Sequence, residues 1–484
     1  MRSYYKRISI VVSLLLIAAG SSFAQTYPID TIYMNGPADK RMNFVFVSDG
    51  FKITEMANFR AGVKSITDQL FATVPYKNYR NYINVFAVEV PSTESGANHP
   101  KTAFDCPPTS VVTVVDNIFG STFDYGGIHR LLVPTKESDV TTVLFDNFPD
   151  YRQAFVLVNS AEYGGSGGSL ATASMETSSG EIAIHEIGHS LAILGDEYGG
   201  GTPASASEKP NTTATTTRAN IRWNKWILPT TPIPTDPSFK SVIGLFEGAA
   251  YSDVGWFRPK ADCKMRDLGV PFCSVCAEAI TDTIVADVAA LDGFSPTSSS
   301  ASPITLNATD SVTLHLALVK PSPNSLSVIW KLNGTTISTN SDSLVLNAAS
   351  LTNGANSLFA SITDTTVLAR APRPTFRTFL AQWHLKKLPA GVESSTDPTS
   401  FAFTASSDLT VAQINATLSL PKPEHVLIVL NDLAGREIKT LFDGELGVGN
   451  QSLHLPTGGL LSGAYAVQCK AGDVTVGRVV VITR

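Results

Sequence analysis

Between positions 185 and 198 the chain reads HEIGHSLAILGDEY, and the first five residues have the types and spacing of a metal-assisted hydrolytic site. Residues four apart share one face of a helix, so His185 and His189 can offer two imidazole nitrogens to one ion. Glu186 then lies beside that ion as a base for a water proton. A catalytic zinc takes three protein ligands and leaves a position open, so two histidines are insufficient. Asp196, eleven residues after His185, returns to the same helical face but lies roughly 10 Å beyond His189 at about 1.5 Å per residue. A straight helix cannot bring it to the metal. Gly195 can adopt the left-handed conformation that ends a helix and turns the chain back. Asp196 is therefore the expected third ligand, with Glu197 as its competitor.

The elements that must hold these side chains are legible on either side. MNFVFVS (42–48) and INVFAVEV (83–90) have the apolar character of strands, and the span from Ile53 to Leu70 between them reads as a helix. A third strand, AFVLVNS (154–160), leads through AEYGGSGGS to a helix over Glu181–Leu194. The first 280 residues or so thus form one α/β domain. The strand 154–160 and the glycine-rich stretch after it read either as a sheet edge on which an extended peptide pairs or as a flexible loop.

Helical patterning stops at DGFSPTSSSASP (292–303), which reads as a Ser/Pro-rich linker. Beyond it SVTLHLALV, SLSVIWKLNG and NSLFASITD are short strands between turn signals, with Trp330 as a core residue and Asn333-Gly334 as a hairpin turn. From about 397 the same all-β character continues through VLIVLND, QSLHLP, GAYAVQCKAG and VGRVVVIT. At 484 residues the chain is long enough for roughly two to four domains. The expected boundaries are 25–290 for the α/β domain, 304–390 for an immunoglobulin-like sandwich and 397–484 for a second sandwich.

Residues 1–24 combine Arg2, Lys6 and Arg7 with an apolar run from Ile8 to Ala19 and end in Ser22-Phe23-Ala24, the pattern of a signal peptide cleaved after Ala24. That run is too short to span a bilayer permanently, and no other stretch approaches the required length, so no transmembrane anchor is expected. Losing three positive charges takes the formal net charge from −6 to −9, which argues against a nucleic-acid partner. Five cysteines suit an oxidising compartment. Cys106, Cys263, Cys273 and Cys276 are expected to pair in disulfides; a metal held by the last three would need a fourth ligand, and no further Cys or His lies nearby in sequence.

HEIGHSLAILGDEY together with GLFEGAAYSDVGWFRPKADCKMRDLGVPFCSVCAEAI resembles the M64, IgA-peptidase type, family of metzincin-like zinc peptidases, over about residues 29–283 from FVFVSDGF onward. The resemblance implies a multidomain protein: an α/β (α+β) metzincin-like zinc peptidase domain followed by two all-β sandwich domains. It implies a secreted endopeptidase with Glu186 as general base and His185, His189 and Asp196 as zinc ligands, acting on a protein or peptide substrate. Met265 matches the methionine turn under the metal, and Tyr251 or Arg258 is the candidate oxyanion donor. The chain departs from the broader metzincin pattern at Ala192, where glycine is usual, and in its third ligand, an Asp displaced by one residue. Calcium is compatible with an exported fold of this kind, but no loop of ligand spacing supports it. The last ninety residues resemble the C-terminal sorting domain of the type IX secretion system of Bacteroidetes-like bacteria, which implies that machinery as a partner, export through the periplasm and a secreted or cell-surface location. Two other functions share these features: an exported zinc hydrolase of a non-peptide amide or glycan, and a cell-surface binding or adhesion protein with a degenerate peptidase domain.

Overall fold

A computed structural model describes residues 25–168, 170–200, 207–370, 377–389, 401–408, 413–432, 436–460 and 463–482. The signal peptide read over 1–24 and the boundary read at 397 lie outside the described residues. The chain divides into two compact units, one of Met1–Ser302, Thr313–Val345 and Ser357–His384, the other of Pro303–Val312, Leu346–Asn356 and Leu385–Arg484. The protein is mixed α/β, with most of its elements strands in several sheets.

In the first unit the strands are β1 (Ile29–Tyr33), β2 (Met42–Asp49), β3 (Ile83–Val88), β4 (Ser121–Thr122), β5 (Val133–Pro134), β6 (Gln153–Val158), β7 (Gly165–Ser166), β8 (Ala171–Ser174), β9 (Phe246–Ala249) and β10 (Ser252–Arg258). Among the described residues, four α-helices accompany them: α1 (Met56–Ala72), α2 (Glu137–Asn147), α3 (Ser179–Ala192) and α4 (Ser274–Asp287). The main sheet runs β1-β3-β2-β6-β8-β7, parallel at its centre and antiparallel at both edges. Both faces are covered, which is why β2 is apolar almost throughout and does not alternate. Val45, Val47, Val156 and Val158 pack with Val140 and Leu144 of α2 on one face. On the other, Phe46 stacks on Phe155 at 4.3 Å between centroids. Gly62 of α1 crosses there so closely that a Cβ would lie 2.9 Å from Leu157 Cδ2.

The strand read over 154–160 is therefore an interior strand, β6, hydrogen-bonded to β2 and β8. The sheet edge is formed instead by β7, inside the glycine-rich stretch. The segment read as a linker also differs: Leu291–Ser295 is a strand antiparallel to Ser311–Leu318, and Asp292 accepts two hydrogen bonds from Arg41 at 2.7 and 2.8 Å. The Pro and Ser residues that mark a linker follow this strand.

The same unit contains the β-sandwich strands Leu326–Leu332 and Thr335–Thr339, with the strand residues 357–364 and 378–384. Asn333 and Gly334, with φ of 49° and 86°, form the expected hairpin turn. Trp330 stacks on Trp383 at 5.3 Å in the sandwich core. The phenols of Tyr79 and Tyr82 donate to Asp364 Oδ2 and the Val319 carbonyl, each at 2.6 Å, joining α/β and sandwich portions within the unit.

In the second unit, Ala402–Asp408, Gln413–Leu420 and Gly449–Pro456 form one sheet and Glu437–Leu446, Glu424–Asn431, Gly463–Ala471 and Val474–Ile482 another. Cys469 is one of their core residues, with Ile428, Leu430 and Val467. Among the described residues no helix is long and apolar enough to cross a membrane.

Candidate metal centre and active-site cleft

Helix α3 follows β8 after a short turn whose Glu176 carboxylate accepts the Ser178 N–H at 2.8 Å. Bonds from the Ser178 and Thr177 hydroxyls hold that carboxyl down at about 2, so a negative charge faces the positive end of the helix. The helix ends at Ala192, and the chain turns back through a left-handed residue as the site requires. That residue is Ile193, with φ 55° and ψ 30°, and not Gly195, which does not have positive φ. Gly195 serves a different need. A Cβ there would lie 2.8 Å from Thr212 Oγ1, and its N–H donates to Asn211 Oδ1 at 2.7 Å.

This reversal brings Asp196 to the histidines. His185 Nε2 lies 3.1 Å from Asp196 Oδ1 and 3.1 Å from His189 Nε2, and His189 Nε2 lies 3.3 Å from the same oxygen. The outer nitrogens are committed elsewhere: His185 Nδ1 to the Lys264 carbonyl and His189 Nδ1 to the Leu194 carbonyl, both at 2.8 Å. A ring nitrogen facing a carbonyl carries the proton, so in each neutral imidazole Nε2 is a lone pair. Two lone pairs and a carboxylate oxygen then converge with no donor among them, an arrangement that fits a cation. A tetrahedral ion with ligand distances of about 2.0–2.1 Å sets ligand edges of roughly 3.3–3.4 Å, close to those observed.

The same preference for positive charge appears in the titration of these groups. Burial opposes a charge on His189, but Asp196 and Glu186 outweigh it and push the imidazole up to about 9. Burial likewise opposes the Asp196 carboxylate, yet in their protonated forms His185 and His189, together with the Tyr251 hydroxyl, keep it well below the usual range.

Glu186 lies beside this triangle on the wall of a cleft of about 920 Å³. Gly167, just past β7, sits over its carboxylate so closely that a Cβ on that glycine would collide with Glu186 Oε2. Burial raises the Glu186 carboxyl above its ordinary value against the pull of the two histidines. A carboxylate shifted toward neutrality is suited to accept a proton and return it.

Met265 is buried beneath α3, where the missing side chain of Gly188 admits it: a Cβ there would lie 2.6 Å from the Met265 sulfur. Tyr251 lines the cleft and donates to Asp196 Oδ2 at 2.6 Å. The other candidate donor, Arg258, does not line it. Its guanidinium is buried and donates to the Glu247, Gly248 and Lys260 carbonyls, so it binds the β9–β10 hairpin to the segment that follows.

Glu197 points away from the histidines. Its Oε1 accepts from Asn211 at 2.8 Å and from the Cys276 thiol at 3.1 Å, and burial holds the carboxyl well above its ordinary range. With Cys263, Cys273 and Cys276 it forms a buried group whose ligand atoms all lie within 4.8 Å of one another, so the fourth ligand type missing from the local sequence arrives as a carboxylate. None of the five cysteines is in a disulfide. Cys106 sits apart beside His99, and the Cys263 and Cys276 sulfurs stand 3.7 Å apart as thiols, in place of the expected disulfides.

A family model described as IgA peptidase M64 matches residues 31–238 and 235–284. No curated protein matches the chain. Among solved structures, fibronectin(III)-like modules of CbhA from Clostridium thermocellum align at 14% identity and a TM-score of 0.17, covering 40% of this chain and 93% of that one. Dimeric latent PorU from Porphyromonas gingivalis aligns at 9% identity and a TM-score of 0.19, over 40% of this chain and 20% of PorU. β-Glucuronidase 3 from Bacteroides uniformis aligns at 11% and 0.18, over 48% and 28%. Likenesses this weak carry no functional information.

Proposed function

The chain belongs to the M64 peptidase family, whose model spans more than half of it, and from that premise we propose that it is an exported zinc endopeptidase of metzincin-like fold. The observation that carries this reading is the convergence of two imidazole lone pairs and one carboxylate oxygen, 3.1–3.3 Å apart, beside the half-buried Glu186 carboxylate at the cleft wall.

His185, His189 and Asp196 would hold the zinc, which when bound acidifies a water molecule and polarises the scissile carbonyl. Glu186 accepts the proton of the attacking water and delivers it to the departing amine nitrogen. Tyr251 is the cleft-lining hydroxyl that would turn its single proton from Asp196 to the oxygen of the tetrahedral intermediate. The substrate chain lies extended past Gly167 and Gly168, beyond Gly165, whose own backbone groups are already paired with residues 130–132, and runs across Glu186. Arg130, on the same wall, draws Glu186 toward its charged form.

The 1–24 segment would direct export, and the C-terminal sandwich from about 397 would act as the address read by a type IX secretion machinery, releasing the enzyme at the cell surface or beyond it. Residues 25–290 would be the catalytic domain and 304–390 a spacer or substrate-positioning sandwich. Sequence motifs support this part of the reading. The test of the enzymatic proposal is hydrolysis of casein or a peptide library by the full chain before chelation, after chelation and after zinc is restored. Cleavage should vanish and return; cleavage that survives complete removal of metal would refute it.

A further inference from the structure

The segment between β3 and α2 runs from Glu89 to Lys136 with only β4, β5 and one short 3-10 turn at Tyr125–Gly127 as regular structure. So long an irregular stretch needs something besides its backbone to fasten it. Its far end forms a wall of the cleft through Tyr125, Ile128, Arg130 and Leu131, and it meets the β7 edge where Gly165 donates to the Arg130 carbonyl at 3.2 Å.

Behind that wall four side chains converge. His99 Nε2 lies 3.2 Å from His129 Nδ1, 3.4 Å from Asp124 Oδ1 and 3.7 Å from the Cys106 sulfur, and His129 Nδ1 lies 3.2 Å from the same Asp124 oxygen. His99 and the Asp124 side chain are buried almost completely. The atoms pointing outward are each engaged. His99 Nδ1 faces the Val111 carbonyl at 3.1 Å, His129 Nε2 faces Glu162 Oε1 at 3.1 Å, and Asp124 Oδ2 accepts the Thr102 N–H at 2.7 Å. Those partners put the ring protons on the outside, so both inward nitrogens are lone pairs facing a carboxylate oxygen and a thiol. A tetrahedral ion with about 2.0–2.1 Å to nitrogen or oxygen and about 2.3 Å to sulfur sets edges of roughly 3.3 Å between nitrogens and 3.6 Å from nitrogen to sulfur. The four observed distances match this pattern and resemble the edges of the triangle at His185, His189 and Asp196, and all four ligand atoms lie within 4.8 Å of one another.

We propose that His99, Cys106, Asp124 and His129 form a second metal site, closed by four protein ligands, that takes zinc in a structural role. With every position filled by protein it offers no place for substrate. Asp124 and His129 bracket residues 125–128, so the ion fastens one wall of the cleft to the base of the loop at His99. The inference rests on donor geometry and is independent of the peptidase reading.

Zinc content of the full chain, measured for wild type, Cys106→Ala, His129→Ala and Asp196→Ala, tests it. Cys106→Ala and His129→Ala should each hold about one equivalent less than wild type, and a Cys106→Ala/Asp196→Ala double variant about two less. A folded Cys106→Ala chain with the wild-type content would overturn the proposal. Because a variant can fail to fold, alkylation of Cys106 in wild type gives an independent reading by peptide mass. The half-exposed thiol should resist iodoacetamide until a chelator is added, and equal rates before and after chelation would also overturn the site.

Discussion

Tyr251 gives its hydroxyl proton to Asp196 Oδ2 at 2.6 Å, on the carboxylate oxygen opposite the one that faces His185 and His189. Burial and that carboxylate push the phenol up to about 12, so it stays a donor at neutral pH. The bond orients Asp196 by occupying its outer oxygen. Tyr251→Phe should therefore weaken metal retention against a competing chelator by about 10- to 100-fold, the usual effect of losing a partner behind a ligand. Unchanged retention would mean that the bond does not orient the ligand.

Gly167→Ala isolates the position of Glu186. Its new methyl would overlap Glu186 Oε2, and a flexible side-chain end can move aside, so the fold should survive. A displacement of about 1 Å in a catalytic group costs on the order of 100-fold in rate. Thermal midpoint and zinc content should stay near wild type while peptide cleavage drops by that order; full activity would place the working carboxylate elsewhere.

At Gly188 the tight contact is with the Met265 sulfur, which would lie 2.6 Å from an alanine methyl at that position. Alanine is the better helix former by about 1 kcal/mol, yet overpacking a closed core costs about 1–3 kcal/mol. Gly188→Ala should lower stability in denaturant titration, and combined with Met265→Ala, which costs stability by its own cavity, it should give a loss smaller than the sum of the two. Additive losses would show that the two positions do not share space.

Ile193 is a β-branched residue held at φ 55° with its side chain largely exposed. The left-handed conformation costs an ordinary residue about 1–2 kcal/mol, and glycine avoids that but loses about 0.5–1 kcal/mol through unfolded-state entropy. Ile193→Gly should leave stability unchanged or raise it by up to about 1.5 kcal/mol. A loss of more than that would show that the Ile193 side chain contributes packing that exceeds its strain.

The strands β2, β3 and β6 and the helices α1 and α3 are readable from sequence because each carries its own apolar pattern, and His185, Glu186 and His189 because one helical turn relates them. The return of Asp196 to the two histidines is readable, but the residue that makes the turn is not. Glycine is the usual left-handed residue, so Gly195 draws the assignment, whereas a close contact with Thr212 explains that glycine and Ile193 bears the turn. Glycine-rich β7 has too few residues for strand periodicity, which leaves β6 to be read as the edge. Arg258 and Tyr251 have equal standing as donors until folding buries one among carbonyls and places the other in the cleft. The groups at His99, Cys106, Asp124 and His129 and at Glu197, Cys263, Cys273 and Cys276 draw their members from distant positions on irregular chain, where no local spacing announces them.

The most direct test of the central claim compares zinc content and peptide cleavage in the same preparations of wild type, Glu186→Ala and Asp196→Ala. Glu186→Ala should keep its zinc and lose cleavage by at least about 100-fold, as expected for removal of a general base, while Asp196→Ala should lose one equivalent of zinc together with its activity. Cleavage by Glu186→Ala at the wild-type rate, or full zinc content in Asp196→Ala, would contradict the assignment of base and third ligand.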